Sequence, residues 1–132
     1  MISKDILILI FLSVGGFCDD HVKQINLWIN LTEPHKEQCI EKTNALIEDI
    51  VQLNTVYKVA NRESFGCYLN CVYEKLNLFN NDHEFNKKAL MDTFFYINEE
   101  MADTCIKFAT SVAHHCGRSY LLAECVLLMA FH

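Results

Sequence analysis

Cysteine is the residue type with the clearest chemical potential in this 132-residue chain, which contains seven of them. A thiolate can act as a nucleophile or bind a metal, and two thiols can be oxidised to a disulfide. Cys116 follows His114 and His115, an arrangement that would suit a nucleophile. A high cysteine content in a short chain is, however, typical of exported proteins whose thiols are paired. We therefore predict disulfides, and we expect no catalytic residue, no metal site and no cofactor.

The N-terminal segment has the pattern of a secretory signal peptide. A short charged start is followed by an apolar run over 6–12 and by small residues up to Cys18. The run is too short to span a membrane, which needs about 20 residues. We expect residues 1–18 to be removed before Asp19, which leaves one domain over 19–132. Six cysteines, an even number, then remain: Cys39, Cys67, Cys71, Cys105, Cys116 and Cys125.

Cys67 and Cys71 lie four residues apart in a segment with helical periodicity. Side chains at this spacing share one helix face, with Cβ atoms about 5–6 Å apart. A disulfide needs a Cβ separation of about 3.5–4.5 Å. The two cysteines should therefore bond to different partners and tie their helix to two others. This argument excludes a bond between them and leaves the remaining pairings open.

The elements that must position these cysteines are helices. Apolar residues at steps of three and four predict helices over 21–31, 34–44, 45–53, 63–79, 85–96, 99–115 and 120–131. Asn44, Asn98 and Ser119 are predicted N-caps, and Gly117 is predicted to end the helix before the last one. The last helix is apolar almost all round, which predicts a central position. No segment has a convincing strand pattern, so the predicted fold class is all-α.

The cysteine spacing resembles that of a known family. The gaps between successive cysteines are 27, 3, 33, 10 and 8 residues, and the gaps of three and eight match the most constant intervals of the insect odorant-binding proteins. The subgroup concerned has six cysteines and includes the pheromone-binding proteins. Two further segments are similar to this family, namely 67–75 (CYLNCVYEK) and 121–126 (LLAECV). The resemblance covers the whole mature chain.

The resemblance implies a fold, a disulfide pattern and a function. The fold would be a compact bundle of about six helices around an apolar cavity, with the pairs Cys39–Cys71, Cys67–Cys116 and Cys105–Cys125. The function would be that of a secreted carrier, which solubilises a small hydrophobic molecule such as an odorant or pheromone. The carrier would work in an extracellular fluid such as sensillar lymph or a gland secretion, as a monomer or weak homodimer, and could deliver its ligand to a chemoreceptor.

Apolar and aromatic residues on the predicted helices are candidates to line such a cavity. We identify Tyr73, Leu76, Phe79, Phe85, Leu90, Phe94, Phe108, Val112, Val126 and Met129. Each of them could equally be part of a solid core. Tyr73 is the candidate for a hydrogen bond to an alcohol, aldehyde or ester oxygen, because its ring packs while its hydroxyl needs a partner. A ligand of about 15 heavy atoms at about 0.5 kcal/mol per atom would bind with low micromolar affinity.

Charge and the remaining motifs limit the partners further. The formal net charge of −6 disfavours nucleic acid, and the mature chain has no apolar run of about 20 residues that would insert stably into a membrane. Asn30, in Asn30-Leu31-Thr32, is a candidate glycosylation site. Histidines such as His83 could make ligand release depend on pH, with solvated surface histidines as the alternative.

Two other functions stay open at this point. A saposin-like lipid-binding protein is also small, helical and held by three disulfides, although its usual early Cys-x-x-Cys is missing here. A helical signalling protein would present a receptor surface and need no cavity.

Overall fold

The computed structural model describes residues 20–131, and within this range the chain forms seven α-helices. The helices are α1 (20–32), α2 (Lys36–Thr43), α3 (Ile47–Val56), α4 (Glu63–Lys75), α5 (Lys87–Thr93), α6 (Glu99–Ala109) and α7 (His115–Phe131). A turn of 3-10 helix, Glu33–His35, joins α1 to α2. The described residues contain no strand, only an isolated bridge between Phe79 and Phe85. The prediction of an all-α fold is confirmed, and the predicted signal peptide lies outside the described residues.

Helix α4 forms the centre of the bundle. Phe65, Leu69 and Val72 follow one another at helical spacing along one face of α4, and each is wholly buried. Helix α7 packs along α4 and also against α6, while α2 packs on α4 and α5 on α6. The predicted central position of the last helix therefore holds for one side of α7. Its other side reaches the surface, where Leu128 is 56% exposed.

Three disulfides hold these helices together. Cys39–Cys71 joins α2 to α4, Cys67–Cys116 joins α4 to α7, and Cys105–Cys125 joins α6 to α7. The pairing implied by the family resemblance is thereby confirmed. The exclusion of a Cys67–Cys71 bond is also correct, because each of these cysteines ties α4 to a different helix.

The predicted boundary between the last two helices is wrong. Helix α6 ends at Ala109 and α7 begins at His115, so both Gly117 and Ser119 lie inside α7. Ser119 is not a cap. It is wholly buried, and its hydroxyl donates a hydrogen bond to Oδ1 of Asn70 on α4, at 3.1 Å. The Ser119 hydroxyl therefore finds its hydrogen-bond partner on another helix, and not in the backbone of a helix N-terminus.

The helices predicted over 63–79 and 85–96 are shorter in the structure. Helix α4 ends at Lys75 because Asn77 adopts the left-handed region with φ 59°. Helix α5 begins only after Asn86, whose side chain accepts a hydrogen bond from the backbone N–H of Ala89 at 2.8 Å. The segment between them turns back on itself through the bridge that Phe85 makes.

Of the two asparagines predicted to be N-caps, one is correct. Asn98 caps α6, since its side chain accepts a hydrogen bond from the N–H of Met101 at 2.9 Å. Asn44 instead ends α2 in the left-handed conformation, with φ 59°. Asparagine tolerates the left-handed region better than most residues, so it can end a helix as well as begin one. The prediction took account only of its preference for helix starts.

An ion pair between a buried carboxylate and a half-exposed arginine holds the segment that follows α3. Asp49 on α3 is 2% exposed, and Nε of Arg62 donates to its Oδ2 at 2.9 Å. The segment 57–62 is held against α3 by this contact. It begins at Tyr57, which has a left-handed φ of 58° and so ends the helix. The same segment forms one wall of a surface cleft described below.

Candidate ligand-binding pocket

An apolar pocket lies between α1, α4, α5 and α7, with a volume of about 50 Å³. No charged side chain is among the residues that line it. The lining residues are Gln24, Ile25, Trp28, Leu53, Tyr73, Leu90, Phe94, Tyr96, Ile97, Leu122, Ala123, Val126, Leu127 and Phe131. Eight of these fourteen residues come from α1 and α7. Such a lining would remove an apolar molecule from water and could not pair a charged one.

The pocket is narrow in this conformation. Typical small-molecule sites have volumes of about 300–1,000 Å³, several times the 50 Å³ found here. A ligand of about 15 heavy atoms is too large for this volume. Side chains of the pocket wall must therefore move apart to admit it. The wall segments free of disulfides are the ones best able to do so. They include α1, which has no cysteine over 20–32, the helices α3 and α5, and α7 beyond Cys125.

A wider cleft of about 920 Å³ opens at the surface beside this pocket. It lies between α3, the segment 57–62 and α7, and its lining is partly charged. Leu127 and Phe131 line both the cleft and the pocket. The ring of Phe131 stacks on Tyr57 at a centroid distance of 4.8 Å and contacts His21 at 4.9 Å. These two residues of α7 therefore form the partition between the two voids.

The structure brings four of the ten candidate residues together at the pocket. Tyr73, Leu90, Phe94 and Val126 line it. Trp28, which the sequence analysis did not select, stands between two of them, with ring distances of 6.1 Å to Tyr73 and 6.2 Å to Phe94. An aromatic wall thus covers one side of the pocket.

The other six candidates lie elsewhere. Phe108, Val112 and Met129 are 47%, 38% and 39% exposed. Phe108 and Met129 lie on outward faces of α6 and α7, and Val112 lies in the connection between these two helices. The remaining three, Leu76, Phe79 and Phe85, lie at the end of α4 and in the segment after it, outside the pocket lining. The rings of Phe79 and Phe85 stack at a centroid distance of 4.9 Å, and the ring of Phe85 meets that of Tyr73 edge-on at 6.2 Å.

Sequence reasoning missed most of the pocket's polar character. Gln24 and Trp28 are one helical turn apart on α1. A polar residue on the same helix face as a tryptophan is the pattern that would have indicated a polar group in the pocket. Oε1 of Gln24 is buried and has no hydrogen-bond partner. Tyr96, also absent from the candidates, lies in the connection after α5 and places a second tyrosine beside Tyr73.

Both tyrosines of the pocket are neutral at physiological pH. Burial, with a smaller contribution from the neighbouring Tyr96, raises the pKa of Tyr73 far above its usual range. Burial likewise raises the pKa of Tyr96. Their hydroxyls can therefore donate and accept hydrogen bonds, but they supply no charge. The pocket offers apolar surface and neutral polar groups.

The family of the protein is settled by a comparison with known protein families. The model of the PBP/GOBP family matches residues 29–128, which is more than two thirds of the chain and includes all three disulfides. The chain belongs to the PBP/GOBP family. This is the family of insect odorant- and pheromone-binding proteins, so the resemblance drawn from the cysteine spacing is confirmed. Among curated proteins, none matches the chain.

Membership of the PBP/GOBP family carries a general function. Its members are binding proteins that carry odorants or pheromones, and they are not enzymes. The match leaves out two parts of the pocket, since Gln24, Ile25 and Trp28 precede residue 29 and Phe131 follows residue 128. These four residues are therefore the part of the pocket that family membership does not describe.

Other features of this PBP/GOBP-family protein lie away from the pocket. His83 and His115 meet at a ring distance of 4.2 Å beside Asn70, and neither lines the pocket. Asn30 is exposed near the end of α1, whereas Thr32 of the same sequon is buried. Among residues 20–131, no group of three or more potential ligand side chains could hold a metal ion. No helix in that range is long and apolar enough to cross a membrane.

Proposed function

We propose that this protein carries one small hydrophobic molecule, an odorant or pheromone, in the pocket between α1 and α7. The observation that supports the proposal is the uncharged, largely apolar lining inside a bundle held by three disulfides. Burying apolar ligand surface contributes about 25 cal/mol per Å². Delivery to a chemoreceptor, by a monomer or weak homodimer, belongs to the same proposal.

The proposed route of the ligand runs from the surface cleft past Leu127 and Phe131. These residues line both voids. Phe131 is six residues beyond Cys125, the last cysteine of the bundle, and ring contacts with Tyr57 and His21 hold it in place. Rotation of this ring joins the cleft to the pocket without disturbing a disulfide. Displacing Phe131 also supplies part of the volume that the narrow pocket lacks.

The variant Ala123→Leu tests the proposed site. Ala123 lines the pocket from α7 and is 8% exposed, so a larger side chain occupies the space that the ligand needs. In the free protein the leucine fills empty space, so the melting temperature should be unchanged or raised. A ligand would then overpack the pocket at a cost of about 1–3 kcal/mol, and we expect a loss of affinity of about tenfold. Trp28 is the single tryptophan and lines the pocket, so its fluorescence reports ligand binding directly.

The matched control for this experiment is Ala113→Leu. Ala113 is exposed in the connection between α6 and α7 and lines neither void, so its affinity should equal that of the wild type. Unchanged binding in Ala123→Leu would place the ligand elsewhere. Binding to lipid vesicles but to no single ligand would indicate a saposin-like function, and binding to neither would favour a signalling protein.

We also propose that the protein is exported. The signal-like segment 1–18 supports cleavage before Asp19, and the three disulfides suit an oxidising compartment. The exposed side chain of Asn30 is the proposed glycan acceptor. The intact mass of protein secreted from insect cells should exceed that of a chain beginning at Asp19 by the mass of a glycan, and treatment with peptide-N-glycosidase should lower it to the mass of that chain. A secreted chain that retains residues 1–18 would contradict this proposal.

A further inference from the structure

One polar atom in the pocket has no partner. Oε1 of Gln24 is buried from solvent and accepts no hydrogen bond. A buried acceptor left in this state costs free energy that a bound donor would recover. Because Gln24 lines the pocket, a ligand can supply that donor.

The rest of the lining restricts what kind of donor fits. None of the lining residues is charged, so an ammonium group would be buried without a counter-ion. A carboxylate would meet the same penalty and has no proton to donate. Aldehydes, esters and ethers only accept hydrogen bonds, so they could pair with the Nε2 amide of Gln24 but would leave Oε1 without a donor. A neutral hydroxyl is the common functional group that both donates a proton and enters an apolar site.

The two tyrosines complete the complementarity. Tyr73 and Tyr96 lie in the same lining as Gln24, and a phenolic hydroxyl can donate to a ligand oxygen. Burial raises the pKa of both tyrosines and keeps them protonated. A ligand hydroxyl can therefore donate to Gln24 and accept from a tyrosine, using both of its hydrogen-bonding capacities.

We propose that the pocket selects apolar alcohols, with the ligand hydroxyl donating a hydrogen bond to Oε1 of Gln24. This inference rests on the proposed carrier function and adds to it the chemical class of the ligand. It also gives a role to a residue that precedes the family match. Gln24 is a specificity-determining residue in this proposal, and the apolar lining supplies most of the affinity.

The experiment compares ligands of equal chain length in displacing a fluorescent apolar probe, with Trp28 quenching as a second readout. The ligands are 1-decanol, decanal and decyl methyl ether. The wild type should bind 1-decanol about threefold to tenfold more tightly than the other two, as one neutral hydrogen bond allows. A wild-type ratio of one or less overturns the proposal without any variant.

Two variants locate the preference. Gln24→Met keeps an unbranched side chain of similar length and removes the acceptor, so the preference for the alcohol should fall to about onefold while the ether still binds. Asn54→Leu is the matched control, because Oδ1 of Asn54 is also buried without a partner but Asn54 does not line the pocket. It should keep the wild-type preference.

The outcomes separate this inference from the carrier function. A full alcohol preference in Gln24→Met overturns the role of Gln24, although the pocket still carries ligands. Failure of the wild type to bind any of the three molecules overturns the carrier function itself. Gln24→Leu provides a second variant with the same expected loss of preference, and far-UV circular dichroism shows whether each variant is folded.

Discussion

Reduction of the three disulfides is expected to unfold the protein at 37 °C and to abolish ligand binding. The bonds close sequence separations of 32, 49 and 20 residues. Loop-closure entropy assigns each of them about 3–4 kcal/mol. Domains of this size are stable by only about 5–15 kcal/mol in total, so losing all three removes most or all of the margin.

The measurement follows far-UV circular dichroism and Trp28 fluorescence after reduction and alkylation of the thiols. The helical signal should fall by more than half at 37 °C, and the fluorescence should shift to the red as Trp28 leaves its aromatic neighbours. Protein treated with the alkylating agent alone serves as the control. A reduced protein that melts cooperatively above 37 °C and binds ligand would show that packing alone holds the bundle.

The disulfides are arranged so that the pocket can still open. They join α2 to α4, α4 to α7 and α6 to α7, and none of their cysteines lines the pocket. Six of the fourteen lining residues lie on α1 or on the end of α7 after Cys125, which carry no such bond in residues 20–131. A rigid frame and a movable wall thus occupy different parts of one small chain, which suits a site that must admit and release its ligand.

The sequence predicted the frame well because its determinants are local or covalent. Helical spacing predicts α4 from residues such as Phe65 and Leu69, and four-residue spacing excludes a Cys67–Cys71 bond. Helix ends were less predictable. Ser119 resembles a cap, yet Asn70 satisfies it from another helix. Gly117 resembles a terminator, yet it lies inside α7. The error at Ser119 comes from a contact between elements far apart in the chain.

The site was harder to predict than the fold. Periodicity gives the apolar face of a helix but does not tell whether that face meets a pocket, solid core or solvent. Phe94 and Phe108 both lie on predicted apolar helix faces, yet Phe94 lines the pocket and Phe108 is about half exposed. The sequence did not identify Gln24 as a pocket residue, because polar residues are normally expected at the surface. Its importance becomes visible only when its buried oxygen is seen to lack a partner.

Gly66→Ala is expected to destabilise the protein by about 2–3 kcal/mol, which reverses the usual effect of this substitution. In a helix, alanine is normally favoured over glycine by about 1 kcal/mol. A Cβ on Gly66 would, however, lie 2.5 Å from the backbone oxygen of Cys116 and 3.1 Å from its carbonyl carbon. A backbone carbonyl cannot rotate away as a side chain does, so α4 and α7 must separate. The bond from the adjacent Cys67 to Cys116, with a Cα–Cα distance of 4.3 Å, opposes that separation.

Gly117→Ala is the matched control on the opposing helix. Its added Cβ would lie 3.3 Å from Cγ2 of Val112. That side chain is 38% exposed and lies outside the helices, so it can shift slightly toward solvent. Helix propensity should therefore decide, and stability should rise by about 0.5–1 kcal/mol. Urea unfolding of both variants measures the change in the free energy of unfolding, which should be negative for Gly66→Ala and positive for Gly117→Ala. Removing the Cys67–Cys116 bond by a double alanine substitution should reduce the cost of Gly66→Ala, since the helices can then move apart. A stability gain in both glycine variants would show that α4 and α7 do not approach as closely as this structure places them.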